Sequence, residues 1–341
     1  MATIKDVARL AGVGVGTASR VLSGNGSVAP ATAERVRDVI AQLKFRPSHA
    51  ARSLGNGTSR LIGVYIPFLG GTYYMRILRV IDTVLRSQGL HMVVAFGEGI
   101  ADERVETNVG MRFLLDRDCD GLIVLSNALL AEDVKALGTA QRQVVVLNRL
   151  IDRIKVQCFT ADHVQGGVHA ARALLQHKHK DIAVVSGPTT SPDNVARLRG
   201  FMEGLALHGL DTAKVMTVPG DFSNQAGWDA AGALLAQKRL PTAVFCANDE
   251  MAIGLLAHFQ ERGVSVPHEV SVLGYDDSPS AEFAAPRLTS VHIPVQQVTL
   301  AGVNWLLNRC YDMDLPTSRQ FDVSVTWRAS VAKPLNRTIR R

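Results

Sequence analysis

The fold of the N-terminal region is decided by the stretch Thr3-Ile4-Lys5-Asp6-Val7-Ala8-Arg9-Leu10-Ala11-Gly12-Val13-Gly14-Val15-Gly16-Thr17-Ala18-Ser19-Arg20-Val21-Leu22. Its first half carries apolar residues at helical spacing, and these are Ile4, Val7, Ala8 and Ala11. After a turn at Gly12, a second apolar face consists of Ala18, Val21 and Leu22. Two short helices joined by a glycine turn form the helix-turn-helix unit, whose second helix fits the major groove of DNA. The stretch therefore predicts a DNA-binding head.

The positive charge of the chain is concentrated beside this unit. The 341 residues carry a net charge of +6. Residues 1–60 contain nine Lys and Arg but only three Asp and Glu, a difference of +6 that accounts for the whole excess. A basic module on a neutral body is typical of a head that binds phosphates while the body has another task.

Composition and cysteine usage indicate a cytoplasmic protein. The chain is 47% hydrophobic, but it has no run of apolar residues long enough to span a membrane and no signal-peptide pattern at its start. The four cysteines are far apart in the sequence, so we expect reduced, buried thiols rather than disulfides or metal ligands. They are Cys119, Cys158, Cys246 and Cys310.

Two further segments belong to the head. A third helix is predicted from Pro30 to Leu43, because Pro suits a first helical position and apolar residues follow at helical spacing. A short helix is predicted between Ser48, as its cap, and Gly55, as its end. An apolar side chain such as Leu54 can wedge between base steps in the minor groove. The alternative is a disordered linker in which Leu54 packs locally.

The head resembles that of the LacI/GalR family of bacterial transcription repressors. The matching motifs are Thr3-Ile4-Lys5-Asp6-Val7-Ala8, Ala11-Gly12-Val13, Thr17, Ser19-Arg20-Val21-Leu22, Arg46-Pro47 and Ala51-Arg52-Ser53-Leu54. The resemblance implies that Leu54 is a minor-groove wedge and that Val15 and Gly16 begin the base-reading helix. It also implies further contacts with bases and phosphates. The other residues expected to contact DNA are Thr3, Thr17, Ser19, Arg20 and Ala51.

The head departs from the family pattern at three positions. Gly14, Gly16 and Ala18 stand where the family usually has Ser, Ala and Val. A helical glycine costs about 1 kcal/mol relative to alanine. We therefore expect a recognition helix that is looser than usual and has fewer contacts at Gly16.

The body alternates strands with helices from residue 61 onward. The first four strands are predicted at Leu61–Ile66, His91–Ala95, Gly121–Leu125 and Gln143–Leu147. The pattern then restarts at Asp181–Val185, Lys214–Val218, Ala243–Cys246 and Val270–Gly274. Such runs indicate α/β architecture with parallel sheets covered on both faces. Two successive sets predict two lobes, with a ligand site beyond the carboxyl ends of the strands in a cleft that closes by a hinge.

This body resembles the periplasmic sugar-binding proteins, whose architecture the LacI/GalR family shares. The motifs are Ala196-Arg197-Leu198-Arg199-Gly200-Phe201, Ala247-Asn248-Asp249-Glu250-Met251-Ala252-Ile253-Gly254 and Gly274-Tyr275-Asp276-Asp277. An arginine can donate two parallel hydrogen bonds, a carboxylate accepts from hydroxyls and an amide does both. The resemblance implies that the ligand-contacting trio is Arg197, Asn248 and Asp276. It implies that the pocket wall or rim is formed by Tyr73, Tyr74, Asn148, Phe159 and Phe222.

Alternatives for these polar residues stay open. Arg197 could pair with a structural acid, and Asp249 is expected to cap a helix while Asp277 is structural. The chain looks most like the galactose-repressor branch, but Gly70-Gly71 replaces the usual Ser-Asn and Phe68 replaces the usual Asp. The predicted ligand is a sugar or sugar derivative, and a purine is the alternative.

The sequence thus predicts a ligand-responsive repressor that binds a palindromic operator as a homodimer. Its predicted segments are a helix-turn-helix domain at 1–46, a hinge helix and linker at 47–60, a ligand-binding and dimerisation body at 61–330 and a tail at 331–341. A solute-binding protein would explain the body but not the basic head. An enzyme is not expected, because the chain lacks a phosphate loop after a strand, a nucleophile elbow and metal-ligand spacing. No cofactor, metal or membrane partner is predicted.

Overall fold

The head is a bundle of three helices. The computed structural model describes residues 2–23, 27–45, 58–98, 102–137 and 143–334. The head helices are α1 (Ile4–Leu10), α2 (Val15–Ser23) and α3 (Pro30–Gln42), and they confirm the predicted helix-turn-helix and third helix. Their small core joins Val7, Ala18 and Val36. The predicted short helix, with Ala51 and Leu54, lies outside the described residues.

Local hydrogen bonds explain why the head helices begin and end where they do. At the start of α1 the Thr3 hydroxyl oxygen accepts from the Asp6 backbone N–H at 3.3 Å, and the Asp6 carboxylate accepts from the Thr3 N–H at 2.9 Å. This reciprocal capping box satisfies backbone donors that a helix start leaves unpaired. The turn after α1 passes through Gly12 at φ 64°, and Arg35 Nε of α3 donates to the Ala11 carbonyl at 3.0 Å. Gly14 precedes α2, so only Gly16 of the two glycines is helical.

The first lobe contains a five-stranded parallel sheet. Its strands are β1 (Leu61–Ile66), β2 (His91–Phe96), β3 (Gly121–Val124), β4 (Gln143–Leu147) and β5 (Cys158–Phe159), in the order β2-β1-β3-β4-β5. The helices between them are α4 (Gly71–Ser87), α5 (Glu103–Leu115) and α6 (Ala131–Leu137), with a 3₁₀ turn at Asp152–Gln157. Separate apolar clusters cover the two faces of this sheet, as the continuous Val and Ile runs predicted. The two-residue strand β5 was not predicted.

The second lobe contains a six-stranded sheet. Its strands are β6 (Ile182–Ser186), β7 (Met216–Pro219), β8 (Ala243–Cys246), β9 (Ser271–Asp276), β10 (Thr289–His292) and β11 (Ser324–Thr326), in the order β11-β10-β9-β8-β6-β7. Its helices are α7 (His163–Gln176), α8 (Pro192–Ala206), α9 (Asn224–Leu235), α10 (Asp249–Glu261) and α11 (Pro279–Phe283). Strand β7 begins later than predicted because Thr212–Lys214 forms a 3₁₀ turn. Strand β11 is antiparallel to β10, an exception to the predicted parallel sheet.

The lobes are not two successive halves of the chain, as the sequence pattern suggested. The long helix α12 (Val295–Tyr311) follows β10 of the second lobe but packs on α4, β3 and β4 of the first. The Tyr311 hydroxyl donates to the Asp120 carboxylate there at 2.6 Å. The chain then returns to the second lobe at β11. It therefore crosses between the lobes three times.

The C-terminal end of the body extends beyond the predicted boundary at residue 330. Ser330 is fully buried, and its hydroxyl donates to the Val272 carbonyl at 2.6 Å. The Ala332 carbonyl lies 2.8 Å from His179 Nε2. The residues after Pro334 lie outside the described part. Among the described helices, none has the length and apolar character needed to cross a bilayer.

Candidate binding cleft and nucleic-acid interface

A cavity of about 420 Å³ lies between the two lobes. Seven of the eight predicted ligand residues line it, namely Tyr73, Tyr74, Asn148, Arg197, Phe222, Asn248 and Asp276. Phe159 does not line this cavity. Its ring is 1% exposed, because Trp305 of α12 covers it at 6.2 Å between ring centroids and the Arg319 guanidinium stacks on it at 3.8 Å. Phe159 thus belongs to a hydrophobic core that includes Trp305, and it borders a different groove.

Arg197 is the buried cation of the cleft. The side chain is 2% exposed, and its guanidinium carbon lies 3.7 Å from the centre of the Tyr275 ring. Its Nη1 donates to the Ala247 carbonyl, and its Nη2 donates to Asp193 at 3.2 Å. The same Nη2 lies 4.0 Å from Oδ1 of Asp276. Arg197 therefore pairs with a structural acid and also lies on the cavity wall.

The two carboxylates beside Arg197 respond differently to burial. Burial works against the charge of Asp193, but the nearer guanidinium of Arg197 holds the pKa of that carboxyl below its usual range. Asp276 is farther from Arg197, so burial raises its pKa to about 8. The pocket therefore holds one matched carboxylate and one that is poorly stabilised in its charged form.

Asn248 rather than Asp249 caps α10. Its backbone is extended, its Oδ1 accepts from the Met251 N–H at 2.9 Å and its Nδ2 donates to the Phe222 carbonyl at 2.8 Å. The expectation that Asp249 caps this helix is wrong, because its side chain turns into the lobe and accepts from the Ser278 N–H at 2.6 Å. Asn248 thus fixes the loop that carries Phe222 as well as the start of α10.

Asp277 has the expected structural role. Its carboxylate accepts from Arg328 at 2.8 Å and from the Thr326 hydroxyl at 2.9 Å, and it lies 2.9 Å from His292 Nδ1. These contacts tie β9 to β10 and β11 on the side away from the cavity lining.

Aromatic rings form the apolar walls of the cavity. Phe68 and Tyr74 meet edge-on at 5.1 Å between ring centroids, and Tyr73 and Tyr74 meet edge-on at 5.5 Å. Phe222 stands at φ 73° on the second lobe, with its ring 5.8 Å from the Arg197 guanidinium. Such walls suit the apolar faces of a sugar ring or a planar heterocycle.

Sequence reasoning missed a buried chain of polar groups behind the cavity. His163 Nε2 lies 3.0 Å from Asn148 Oδ1, and His163 Nδ1 lies 3.0 Å from the Tyr275 hydroxyl. Because an amide oxygen only accepts, Nε2 carries the proton and Nδ1 accepts from the tyrosine. Burial lowers the pKa of His163 to about 4. No sequence motif marks this histidine, because its partners come from other elements.

The outer face of α2 is the candidate DNA surface. Val15 is 44% exposed, and the other exposed residues of the predicted reading set are Gly16, Ser19 and Arg20. Thr17 is half-buried. Thr3 is exposed, but its hydroxyl already bonds to Asp6 in the cap of α1. Ala51 and Leu54 lie outside the described residues.

Comparisons with known proteins agree with this division into head and body. Residues 3–48 match the model of bacterial regulatory proteins of the lacI family, and residues 171–331 match that of a periplasmic binding protein-like domain. The chain is 30% identical to the HTH-type transcriptional regulator AscG of Escherichia coli strain K12, over 98% of this chain and 99% of that protein.

Two solved structures resemble the chain closely. A LacI-family transcriptional regulator from Burkholderia phymatum has 45% identity and a TM-score of 0.76, covering 80% of this chain and 99% of that one. The lac repressor dimer bound to operator and the anti-inducer ONPF has 26% identity and a TM-score of 0.82, covering 97% of this chain and 99% of that one.

Proposed function

The chain belongs to the lacI family of bacterial regulatory proteins, and we propose that it is a repressor. Its binding to a palindromic operator is controlled by a small sugar or sugar derivative. It is a transcription regulator with a DNA-binding head and a two-lobed body. The observation that carries the proposal is the cavity of about 420 Å³ between the lobes, lined by Arg197, Asn248 and Asp276, behind a head with all of the chain's excess positive charge.

The surface of α2 supports DNA reading by the head. Val15, Ser19 and Arg20 face outward at the start and along one side of this helix, where a recognition helix contacts base edges. A side chain added at Gly14 or Gly16 would meet no atom within 4 Å. The helix can therefore approach the groove floor closely at these positions.

An exposed apolar row on α5 supports a homodimer. Val105, Val109 and Phe113 follow one another at four-residue spacing and are 57%, 63% and 39% exposed. Such a stripe is costly in water and is typical of a surface that a partner covers. A second copy of the chain would place two heads on the two halves of a palindromic site.

The chemistry of the cleft favours a sugar as the effector. Arg197 and Asn248 supply donors, and Asp276 supplies an acceptor for hydroxyl groups. The rings of Tyr73 and Phe222 supply apolar faces. A purine corepressor is the second candidate, because it would use the same rings but needs fewer hydroxyl acceptors than the cleft offers.

We further propose that the chain has no enzymatic activity and works in the cytoplasm, where its DNA is. The relative named above is a transcriptional regulator, and the lining of the cavity serves here to bind an effector. The basic head also argues against a solute-binding protein of a transporter. Turnover of a bound sugar would contradict this part of the proposal.

The decisive experiment combines DNA selection with an effector screen. Full-length protein is used to enrich genomic fragments, and binding to the enriched site is then titrated with sugars and purine bases. We expect a palindromic site, a steep salt dependence and a sugar that changes the operator affinity. Absence of any preference over scrambled DNA, with and without the small molecules, would overturn the proposal.

A further inference from the structure

Carboxylates dominate the charge of the cavity. Among the described residues that line it, one is basic, Arg197, and six are acidic. The acidic residues are Glu103, Glu106, Asp193, Asp221, Glu250 and Asp276. Burial raises the pKa of Asp276 to about 8, but the other five carboxylates still outnumber the one guanidinium. A ligand that enters this space therefore meets a negative field that the low-dielectric walls strengthen.

Arg197, the one basic group among the described lining residues, already has partners within the protein. Arg197 donates to Asp193 at 3.2 Å and to the Ala247 carbonyl. Its Nε is buried, with no hydrogen-bond partner among the described residues, and gives the cavity no accessible positive edge. An anionic ligand would have to compete with Asp193 and leave that buried carboxylate without its cation, which is costly.

One of the helix starts that line the cavity is also occupied by a carboxylate. Helix N-termini attract anions because their backbone N–H groups are unpaired. At the start of α4, the Glu250 carboxylate of the second lobe accepts from the Thr72 N–H at 2.6 Å and from the Thr72 hydroxyl at 2.9 Å. Glu250 thus closes the cleft mouth from the opposite lobe and takes the place of a ligand anion.

The local sequence explains this contact. Gly70 and Gly71 lead into α4, and Gly71 has φ 72°. A Cβ atom on Gly71 would lie 3.3 Å from Glu250 Oε1, so a larger residue would crowd the carboxylate. The glycine pair and Glu250 therefore act together at the mouth.

We propose that the effector is a polyhydroxyl compound without a negative charge, and that Glu250 is a specificity-determining residue that rejects phosphorylated and carboxylated derivatives. This inference rests on the proposed function, because it assumes that the cleft is the effector site. Uncharged and amino-bearing polyols can bond to the polar groups of the wall without adding a negative charge.

The test is a thermal-shift panel on the full-length protein. Each of several hexoses and pentoses is compared with its phosphate ester, its carboxylate derivative and its amino derivative at equal concentration and ionic strength. We expect an uncharged or amino-bearing member to raise the melting temperature most. An anionic member that stabilises more than its parent would overturn the inference but leave the proposed function intact. A panel without any stabilising polyol would overturn both.

Variants separate Glu250 from general charge effects. Glu250→Gln keeps an acceptor for Thr72 but removes the charge. We therefore expect the ratio of the affinity for the anionic derivative to the affinity for its uncharged parent to rise about fivefold or more relative to wild type. Glu282→Gln removes an exposed charge of the same lobe outside the cavity and should leave that ratio unchanged. Equal ratios in wild type and Glu250→Gln would refute the role of Glu250.

Discussion

His163 joins the two lobes through Asn148, with His163 Nε2 3.0 Å from the amide oxygen. Asn148 follows β4 of the first lobe, while His163 begins α7 of the second. The other ring nitrogen of His163 meets the Tyr275 hydroxyl, and the Tyr275 ring carries the Arg197 guanidinium. A neutral imidazole thus lies between Asn148 of the first lobe and the tyrosine ring that holds Arg197.

The first prediction concerns stability at acid pH. His163 has a pKa of about 4 in the folded protein, below its ordinary value of 6.5. The unfolded chain therefore binds the proton more readily, and the stability that neutral His163 provides is present above pH 6.5 and lost as the pH falls towards 4. Wild type should lose about 2–3 kcal/mol more than His163→Gln between pH 7 and 4.5, as measured by urea unfolding.

An exposed histidine supplies the control for this experiment. His268 lies on the surface of the second lobe, so His268→Gln should reproduce the pH dependence of wild type. The same loss of stability in His163→Gln as in wild type would show that His163 does not resist protonation.

The second prediction concerns the pH dependence of effector binding. Hydroxyl donors favour the charged form of Asp276, whose pKa is about 8 in the free cleft because of burial, with Arg197, Asp249, Asp193 and Arg76 as the surrounding charged groups. Binding should therefore release a proton, and affinity should rise about tenfold from pH 7 to pH 9. Calorimetric titration in buffers of different ionisation enthalpy measures both quantities.

Replacement of Asp276 by Asn checks the source of that proton. The variant should bind more weakly and lose most of the pH dependence. Its unliganded form should be more stable than wild type at pH 7 by about 1 kcal/mol or more, because folding no longer has to protonate a carboxyl whose pKa burial raises to about 8. Affinity that falls as pH rises in wild type would contradict the assignment.

The third prediction concerns the two kinds of glycine in the head. Gly16 is helical, and a Cβ there meets no atom within 4 Å, so Gly16→Ala should stabilise the head by about 0.5–1 kcal/mol. Gly12 has equal space but φ 64°, so Gly12→Ala should destabilise it by about 1 kcal/mol. Amide hydrogen exchange over residues 4–23 reports both. Equal effects of the two substitutions would mean that backbone conformation does not decide them.

The fourth prediction concerns the dimer. Val109 is 63% exposed at the centre of the apolar row on α5, so Val109→Glu should weaken self-association at least about tenfold, because it places a charge in a buried contact. Val195 on α8 is also exposed, at 51%, and Val195→Glu is the matched control. Sedimentation equilibrium distinguishes the two. A dimer that tolerates Val109→Glu would place the interface elsewhere.

The fifth prediction concerns Leu54, which the family resemblance marks as the minor-groove wedge. Leu54→Ala should weaken binding to the selected operator at least about tenfold, since the wedge stabilises bent DNA, and should leave binding to random DNA nearly unchanged. Operator binding equal to that of wild type in mobility-shift titrations would exclude the wedge.

Much of the fold was predictable because its strands carry continuous apolar runs. Strands β1 and β8 begin and end at their predicted residues. The three unpredicted strands are short, and β11, with Ser324 and Thr326, lacks such a run. The sequence also could not predict that α12 packs on the first lobe, because periodicity shows that a helix has an apolar face but not which sheet covers it.

The site was predictable where a residue's chemistry stands in a motif, as for Arg197 and Asp276. It was not predictable where the chemistry arises from distant contacts. His163 and Tyr275 are 112 residues apart, and Glu250 reaches Thr72 across 178 residues. The prediction that Phe159 forms part of the pocket wall was wrong for the same reason, because α12 and Arg319 cover its ring only in the folded chain.

The return of α12 to the first lobe has a consequence for biosynthesis. A ribosome delivers β1 to β5 early, but the helix that completes their hydrophobic core emerges only when Tyr311 has been made. The hydrophobic core of the first lobe therefore remains incomplete, and part of its sheet stays exposed, while the second lobe is synthesised. A nonsense codon shortly before Val295 would remove both α12 and β11 and leave neither lobe complete, so truncations at that point should behave as null alleles.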